Sequence, residues 1–184
     1  MVDIALSLTG KFDAAIDRLT TRLGGMEDDE YLWEPVADCW SLRPGADGHW
    51  MIDGGPLGNL GKPPPDPAPV TTIAWRVSHL GFGMGGFAST RFGDGSLLTQ
   101  PAEFPGHATD VVPFLHRHYQ AWRAGIASVD DRGWDSPLPA SWGARWAEMT
   151  TFDLALHVFD EIVHHGGEIG VLRDLYRHRP SLSP

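Results

Sequence analysis

Apolar residues recur at three- and four-residue spacing in four separate segments, and this period constrains the fold more than any other feature of the sequence. Such spacing places the apolar side chains on one face of an amphipathic helix, and that face must be buried. No segment shows convincing alternation of apolar and polar residues between hairpin turns. The predicted helices cover residues 7–23, 71–92, 108–128 and 150–176, and a short helical turn covers residues 28–35.

A long loop rich in proline separates the first two long predicted helices. Residues 39–70 contain Gly54-Gly55-Pro56 and further prolines at positions 63, 64, 65, 67 and 69. Proline at this density opposes the hydrogen bonding of both helix and sheet. The loop also holds Trp40, Trp50 and Met51, which favour an ordered, packed segment. We therefore predict a single all-α domain over residues 1–184, a four-helix bundle with a long ordered loop between helices one and two.

The charge and the cysteine content exclude several classes of protein. The formal net charge is −10, and the 14 lysines and arginines form no basic run, so we expect no nucleic-acid partner. No stretch approaches the roughly 18 apolar residues of a membrane helix, and the N-terminus does not resemble a signal peptide. The single cysteine, Cys39, precludes a disulfide within the chain. These features predict a cytoplasmic protein.

The last predicted helix carries two carboxylate–imidazole pairs at four-residue spacing, Asp160 with His164 and Glu161 with His165. Residues four apart lie one above the other on a helix and can hold one ion together. At roughly 100° per residue, Glu161 and His165 fall on the shoulder of the apolar face, whereas Asp160 and His164 fall on the opposite side. The apolar face itself is formed by Leu154, Val158, Ile162, Ile169, Leu172 and Tyr176.

An inward-facing carboxylate is costly unless it is paired or bound to a metal. Glu161 therefore either binds a metal with His165 or forms a hydrogen bond or salt bridge with His165 or an arginine. Helical spacing alone does not decide between metal binding and a hydrogen bond or salt bridge. The second long predicted helix carries His79 on a secondary apolar stripe, where a histidine is more often part of the core. Helical spacing does not distinguish His79 from His116 or His118.

Four strings carry a resemblance to a known family: Tyr31-Leu32-Trp33-Glu34-Pro35, Cys39-Trp40-Ser41-Leu42-Arg43, Thr71-Thr72-Ile73-Ala74-Trp75-Arg76-Val77-Ser78-His79-Leu80 and Glu161-Ile162-Val163-His164-His165-Gly166-Gly167-Glu168-Ile169. They resemble the DinB-like superfamily of bacterial metal-binding four-helix bundles over nearly the whole chain. In that family, a histidine of the second helix and two residues four apart in the last helix bind a metal. The resemblance thereby implies a metal site formed by His79, Glu161 and His165.

One branch of this family is closest in its ligands. Many members have histidine where this chain has Glu161, and the His/Glu/His set resembles the mycothiol-dependent maleylpyruvate isomerases of actinobacteria. The resemblance implies a divalent metal, zinc or alternatively nickel, and mycothiol as a thiol cosubstrate. That isomerase has an additional C-terminal domain that contributes to its site, whereas this chain ends at Pro184. Maleylpyruvate isomerisation itself is therefore not expected.

Three protein ligands leave zinc an open position, which is typical of a catalytic site. Zinc can deprotonate a thiol that binds there, or lower the pKa of a bound water. We therefore expect a zinc-dependent thiol S-transferase that conjugates mycothiol, or a related small thiol, to a small electrophile. Two alternatives remain open: a metal-dependent hydrolase that uses zinc-activated water, and a non-catalytic stress-response protein that binds a metal or a small molecule.

Three tryptophans are candidates for the walls of the substrate pocket, Trp40, Trp50 and Trp75, with plain core packing as the alternative for each. The loop of residues 39–70 is expected to lie over or near the metal end of the bundle. We expect Cys39 to be a buried structural residue, with a role as nucleophile as the alternative. The expected partners are a small thiol and an electrophile, and a homodimer is left open.

Overall fold

The segments with helical spacing form helices in the computed structural model of the chain, which describes residues 3–55 and 65–181. Within these residues the long helices are α1 (Ile4–Leu23), α3 (Ile73–Phe92), α4 (Ala108–Ala127) and α5 (Thr151–His178), with a single helical turn at α2 (Asp28–Tyr31). Short 3-10 turns lie at Ser96–Thr99, Ala140–Trp142 and Arg179–Ser181. The prediction of an all-α helical bundle is confirmed, and the predicted ends of the long helices agree to within three residues.

Side-chain caps define where α1, α3 and α5 begin. The carboxylate of Asp3 accepts a hydrogen bond from the amide of Leu6, so α1 starts three residues earlier than the sequence predicts. Thr72 caps α3. At α5, Thr150 and Asp153 cap each other's backbone amides in a reciprocal box, which fixes the start of the helix that carries Glu161 and His165.

The four long helices bury one shared core. The helix α3 packs against α4 and α5, and α1 packs against the same two helices from the other side. Large side chains from all four are almost fully enclosed, among them Phe12, Ile16, Met84, Leu115, Trp122 and Ile162. Among the described residues, no helix combines the length and the apolar character needed to cross a membrane.

A small hairpin corrects the prediction that residues 39–70 are loop throughout. The strands β1 (Leu42–Pro44) and β2 (Trp50–Ile52) pair antiparallel, and the amide of Gly45 donates to the carbonyl of His49 across the turn. Most prolines of the region lie beyond this hairpin, and Pro44 sits at the end of its strand, so proline does not prevent the pairing. Residues 56–64 lie outside the described part of the chain.

The described parts of this loop lie against the N-terminal half of α3. The amide of Trp40 donates to the carbonyl of Val70, so the two ends of the loop are joined. The indole of Trp75, on α3, donates to the carbonyl of Asp53. Trp75 also stacks on His79. The described part of the loop therefore lies close to His79, one of the three predicted ligands.

A buried ion pair ties α5 to the segment that follows α1. The guanidinium of Arg173, 1% exposed, holds Glu30 with two hydrogen bonds, from Nε to Oε1 at 2.7 Å and from Nη2 to Oε2 at 3.0 Å. The same guanidinium donates to the carbonyls of Arg22 and Gly24. This contact satisfies backbone groups at the C-terminal end of α1 and fixes α5 against it.

Candidate metal centre

Two facing helices bring the three predicted ligands together. His79 projects from the first half of α3, and Glu161 and His165 lie one turn apart in the middle of α5. Oε2 of Glu161 is 3.0 Å from Nε2 of His79 and 3.2 Å from Nε2 of His165. One ligand atom from each residue lies within 4.8 Å of the other two. Two imidazoles and a carboxylate therefore meet at one point between α3 and α5.

The electrostatics of these groups suit a cation. Hydrogen bonds from His165 and His79 hold the pKa of Glu161 well below its usual range, so the carboxylate is ionised at neutral pH. Burial lowers the pKa of His165, which favours the neutral imidazole that a metal requires. The side chain of His165 is 13% exposed and that of Glu161 is 32% exposed. The site is therefore partly enclosed, and Glu161 is more accessible to solvent than His165.

The alternative pair on α5 faces the solvent. Asp160 is exposed, and the side chain of His164 is 62% exposed. The prediction from helical register, that Glu161 and His165 point inward while Asp160 and His164 point outward, is confirmed. The reason is that adjacent residues of a helix differ by about 100°, so only one of the two pairs can turn towards α3.

Aromatic side chains orient the histidine of α3. The indole of Trp75 stacks on the imidazole of His79 with a centroid distance of 5.0 Å and an interplanar angle of 13°. Trp40 lies behind Trp75 at 6.1 Å. The hydrogen bond from Trp75 to Asp53 fixes the indole, which in turn limits rotation of the His79 ring. Two of the predicted tryptophans, Trp40 and Trp75, therefore lie behind a candidate metal ligand.

Two charged residues that the sequence analysis did not single out adjoin His165. Oε2 of Glu168 lies 2.7 Å from Nδ1 of His165, the ring nitrogen that faces away from Glu161. The guanidinium of Arg76, from α3, forms a salt bridge with Glu168, and its Nη1 is 3.1 Å from Nδ1 of His165. Burial lowers the pKa of Arg76 to about 10, so it remains charged. The signal in the sequence was the three-residue spacing from His165 to Glu168, which places both on one face.

A mainly apolar cavity of about 150 Å³ opens beside the site. His79 and Glu161 line one end, and the remaining walls are formed by Leu80, Gly83, Met84, Phe87, Arg145, Trp146, His157 and Val158. In this cavity, Trp40, Trp50 and Trp75 are not among the lining residues, which corrects the predicted pocket walls. Trp50 instead packs against Gly106 and His107 at the start of α4.

The aromatic wall of the cavity joins residues of three different elements. Phe87 lies 5.4 Å from Trp146 and 5.9 Å from His157 between ring centroids. Trp146 belongs to the loop before α5, whereas Phe87 is on α3 and His157 is on α5. Nε2 of His157 is 3.8 Å from Oε1 of Glu161, so the histidine lies at the edge of the site. A loop residue cannot be assigned to a wall from spacing, because spacing defines faces only within one helix.

Cys39 lies outside this cavity. It is 2% exposed, and its thiol donates to the carbonyl of Val36 at 3.0 Å. An enclosed thiol of this kind behaves as a structural apolar residue. The expectation of a buried cysteine is confirmed.

The donor set fits a divalent metal. Two imidazoles and one ionised carboxylate match the His₂Glu ligand sets of catalytic zinc sites. In the described chain a second group, His164, His165 and Glu168, also brings three donors together, but it shares His165 with the first and has Arg76 against Glu168. The positive charge of that guanidinium disfavours a cation there.

Comparison with known proteins agrees with this architecture. No curated protein and no solved structure is significantly similar to the chain. The family model of the DinB superfamily matches residues 11–169, which include all the long helices in part or whole and all three candidate ligands. Because this match covers most of the 184 residues, the chain belongs to the DinB superfamily.

Proposed function

We propose that this chain holds a divalent metal, zinc in the first place, through His79, Glu161 and His165, and transfers a small thiol to a small electrophile. The observation that carries the proposal is the convergence of three ligand atoms within 4.8 Å at the end of an apolar cavity. DinB-like proteins often bind divalent metals, which supports the first half of the proposal. Mycothiol, or a related thiol of low molecular weight, is the cosubstrate that we propose.

The chemistry that zinc supplies when bound at such a site is the deprotonation of a thiol at its open position. His79 and His165 supply imidazole nitrogens, and the ionised Glu161 offsets part of the positive charge. The stacked indole of Trp75 limits the rotation of His79. These residues therefore present a fixed, preorganised set of ligands.

The cavity is the proposed place for the electrophile. Phe87 and Trp146 offer flat apolar surfaces, and Leu80, Met84 and Val158 exclude water from the same space. Arg145 lies over the ring of Trp146 at 5.0 Å and adds a positive charge to the lining. An electrophile with an apolar body and a negatively charged group suits this lining best. Its reactive carbon would lie at the end formed by His79 and Glu161.

His157 favours a second candidate function, the hydrolysis of a small ester or amide. The ring lines the cavity near Glu161, and burial lowers its pKa, so it is neutral near pH 7 and can accept a proton from water. A hydrolase would need no thiol. The dependence of turnover on a thiol therefore separates the two functions.

The test begins with metal analysis of the purified protein and titration with zinc and nickel. Calorimetry with mycothiol then follows on the zinc-loaded and the metal-free protein, together with a screen of small electrophiles. We expect one metal per chain and thiol binding that requires the metal. Product formed only at the uncatalysed rate, with no thiol binding at millimolar concentration, would refute the transferase. Turnover of esters or amides without thiol would support the hydrolase instead.

A further inference from the structure

The outward-facing nitrogen of His165 has two competing hydrogen-bond partners. Oε2 of Glu168 lies 2.7 Å from Nδ1, and Nη1 of Arg76 lies 3.1 Å from the same atom. A carboxylate can only accept a hydrogen bond, and a guanidinium can only donate one. The two partners therefore favour opposite tautomers of one imidazole.

Each tautomer has a consequence at Nε2, which faces Glu161 at 3.2 Å. If Nδ1 carries the proton and donates to Glu168, Nε2 has a free lone pair and can bind a metal. If Nδ1 accepts from Arg76, the proton lies on Nε2 and donates to Glu161, which blocks metal binding. In the metal-free site, Glu161 at Nε2 and Arg76 at Nδ1 thus both favour the tautomer that cannot bind a metal, whereas Glu168 favours the one that can.

Glu168 opposes this preference and also forms a salt bridge with Arg76. The oxygen that accepts from the guanidinium, Oε2, lies next to Nδ1 of His165 and accepts a hydrogen bond from it when that nitrogen carries the proton. Arg76 has a side chain that is 13% exposed, so an anion beside it is needed to compensate its buried charge. The guanidinium thereby holds Glu168 next to the ring.

We infer that Glu168 is a positioning residue that sets the tautomer of His165 and so directs its Nε2 lone pair to the metal. The inference rests on the proposed metal site but is independent of the thiol and the electrophile. It also explains why the donors of the second group, His164, His165 and Glu168, lie close together. In that group Arg76, and not a second metal ion, is the partner of Glu168.

The first measurement uses the unaltered chain. Long-range proton–nitrogen correlation spectra of the zinc-loaded protein report which nitrogen of His165 carries hydrogen. We expect the proton on Nδ1 and the metal shift on Nε2, with one zinc per chain. Metal bound through Nδ1, or a second zinc lost on His164→Ala, would overturn the inference and favour the second donor group.

The second measurement compares the zinc affinities of variants by competition with a chelating dye. Removal of a partner of a metal-bound histidine typically costs about 10- to 100-fold in affinity, and we expect a loss of this size for Glu168→Ala. Glu168→Gln keeps an acceptor oxygen and should lose less. Asp160→Ala removes an exposed carboxylate from the same helix and should stay within about fivefold of the unaltered chain.

The double variant Arg76→Met with Glu168→Ala tests the competition itself. Without the guanidinium, no donor at Nδ1 favours the blocked tautomer, so the double variant should recover part of the affinity lost in Glu168→Ala. If Glu168→Ala binds zinc as tightly as the unaltered chain, the inference fails while the metal site stands. If the unaltered chain binds no metal, the proposed function fails and the inference with it. Should Glu168→Ala not fold, the zinc affinity of Glu168→Gln relative to that of Asp160→Ala still decides.

Discussion

Nε2 of His79 on α3 lies 3.0 Å from Oε2 of Glu161 on α5, and this contact joins two helices that are far apart in sequence. The carboxylate is shared, because Nε2 of His165 approaches the same oxygen. Hydrogen bonds from both imidazoles keep Glu161 ionised. In the absence of a metal, the three side chains therefore form one polar unit at the edge of an apolar core.

Substitution of the ligands should remove the metal. We expect His79→Ala, Glu161→Ala and His165→Ala each to weaken zinc binding by more than about 100-fold, since even the loss of a residue behind a ligand costs roughly 10- to 100-fold. Asp160→Ala is the matched control, because Asp160 is exposed beside Glu161. Metal content after dialysis and dye competition measure the effect. Retention of zinc in Glu161→Ala together with its loss in Asp160→Ala would contradict the helical register.

Filling the cavity should affect the electrophile and not the metal. A Cβ on Gly83 would meet no atom within 4 Å, and this glycine lines the cavity. Gly83→Leu should therefore fold, keep zinc, and raise KM for the electrophile because the added side chain occupies its space.

The control for this prediction is Gly81→Ala on the same helix. A Cβ there would lie 2.1 Å from Cε1 of Phe114, so we expect destabilisation, by about 1–3 kcal/mol as for other overpacked cores. Urea unfolding and steady-state kinetics measure the two effects. An unchanged KM in Gly83→Leu would show that the electrophile binds elsewhere.

The buried pair of Glu30 and Arg173 should be a large contributor to stability. Glu30→Gln leaves a buried arginine without its countercharge, and breaking such a pair costs about 3–5 kcal/mol. Asp174→Ala breaks the neighbouring but exposed pair with Arg22 and should cost no more than about 1 kcal/mol. The free energies of unfolding in urea test this contrast. Equal losses in the two variants would mean that burial of the pair is unimportant.

Stability should fall in acid in part because of His118. Burial lowers the pKa of this histidine on α4 to about 4, against an ordinary value of 6.5. Between these pH values the unfolded chain binds a proton that the folded chain does not, so stability decreases as the pH falls from about 6.5 to about 4. Below that range both states are protonated and the loss is complete.

The variant His118→Leu isolates this contribution. We expect its free energy of unfolding to fall less than that of the unaltered chain over the same pH range, by about 1–3 kcal/mol. His116→Gln removes an exposed imidazole from the same helix and should keep the original pH profile. Urea unfolding at several pH values provides the measurement. Parallel profiles for His118→Leu and the unaltered chain would refute the role of His118.

The sequence by itself determined the helices and the inward face of α5. A repeat of 3.6 residues is a local property, and it shows that Glu161 and His165 share the buried side while Asp160 and His164 do not. Family resemblance then added His79, which helical spacing could not distinguish from His116 or His118.

Only the tertiary structure decided which residues of different elements meet. It placed Arg76 of α3 against Glu168 of α5, and brought Trp146 from a loop to the cavity wall, where the predicted Trp50 is absent. It also revealed the hairpin in a segment that its prolines suggested was irregular. Contacts between elements depend on how helices cross and pack, and side-chain spacing along one helix carries no information about the residues of another.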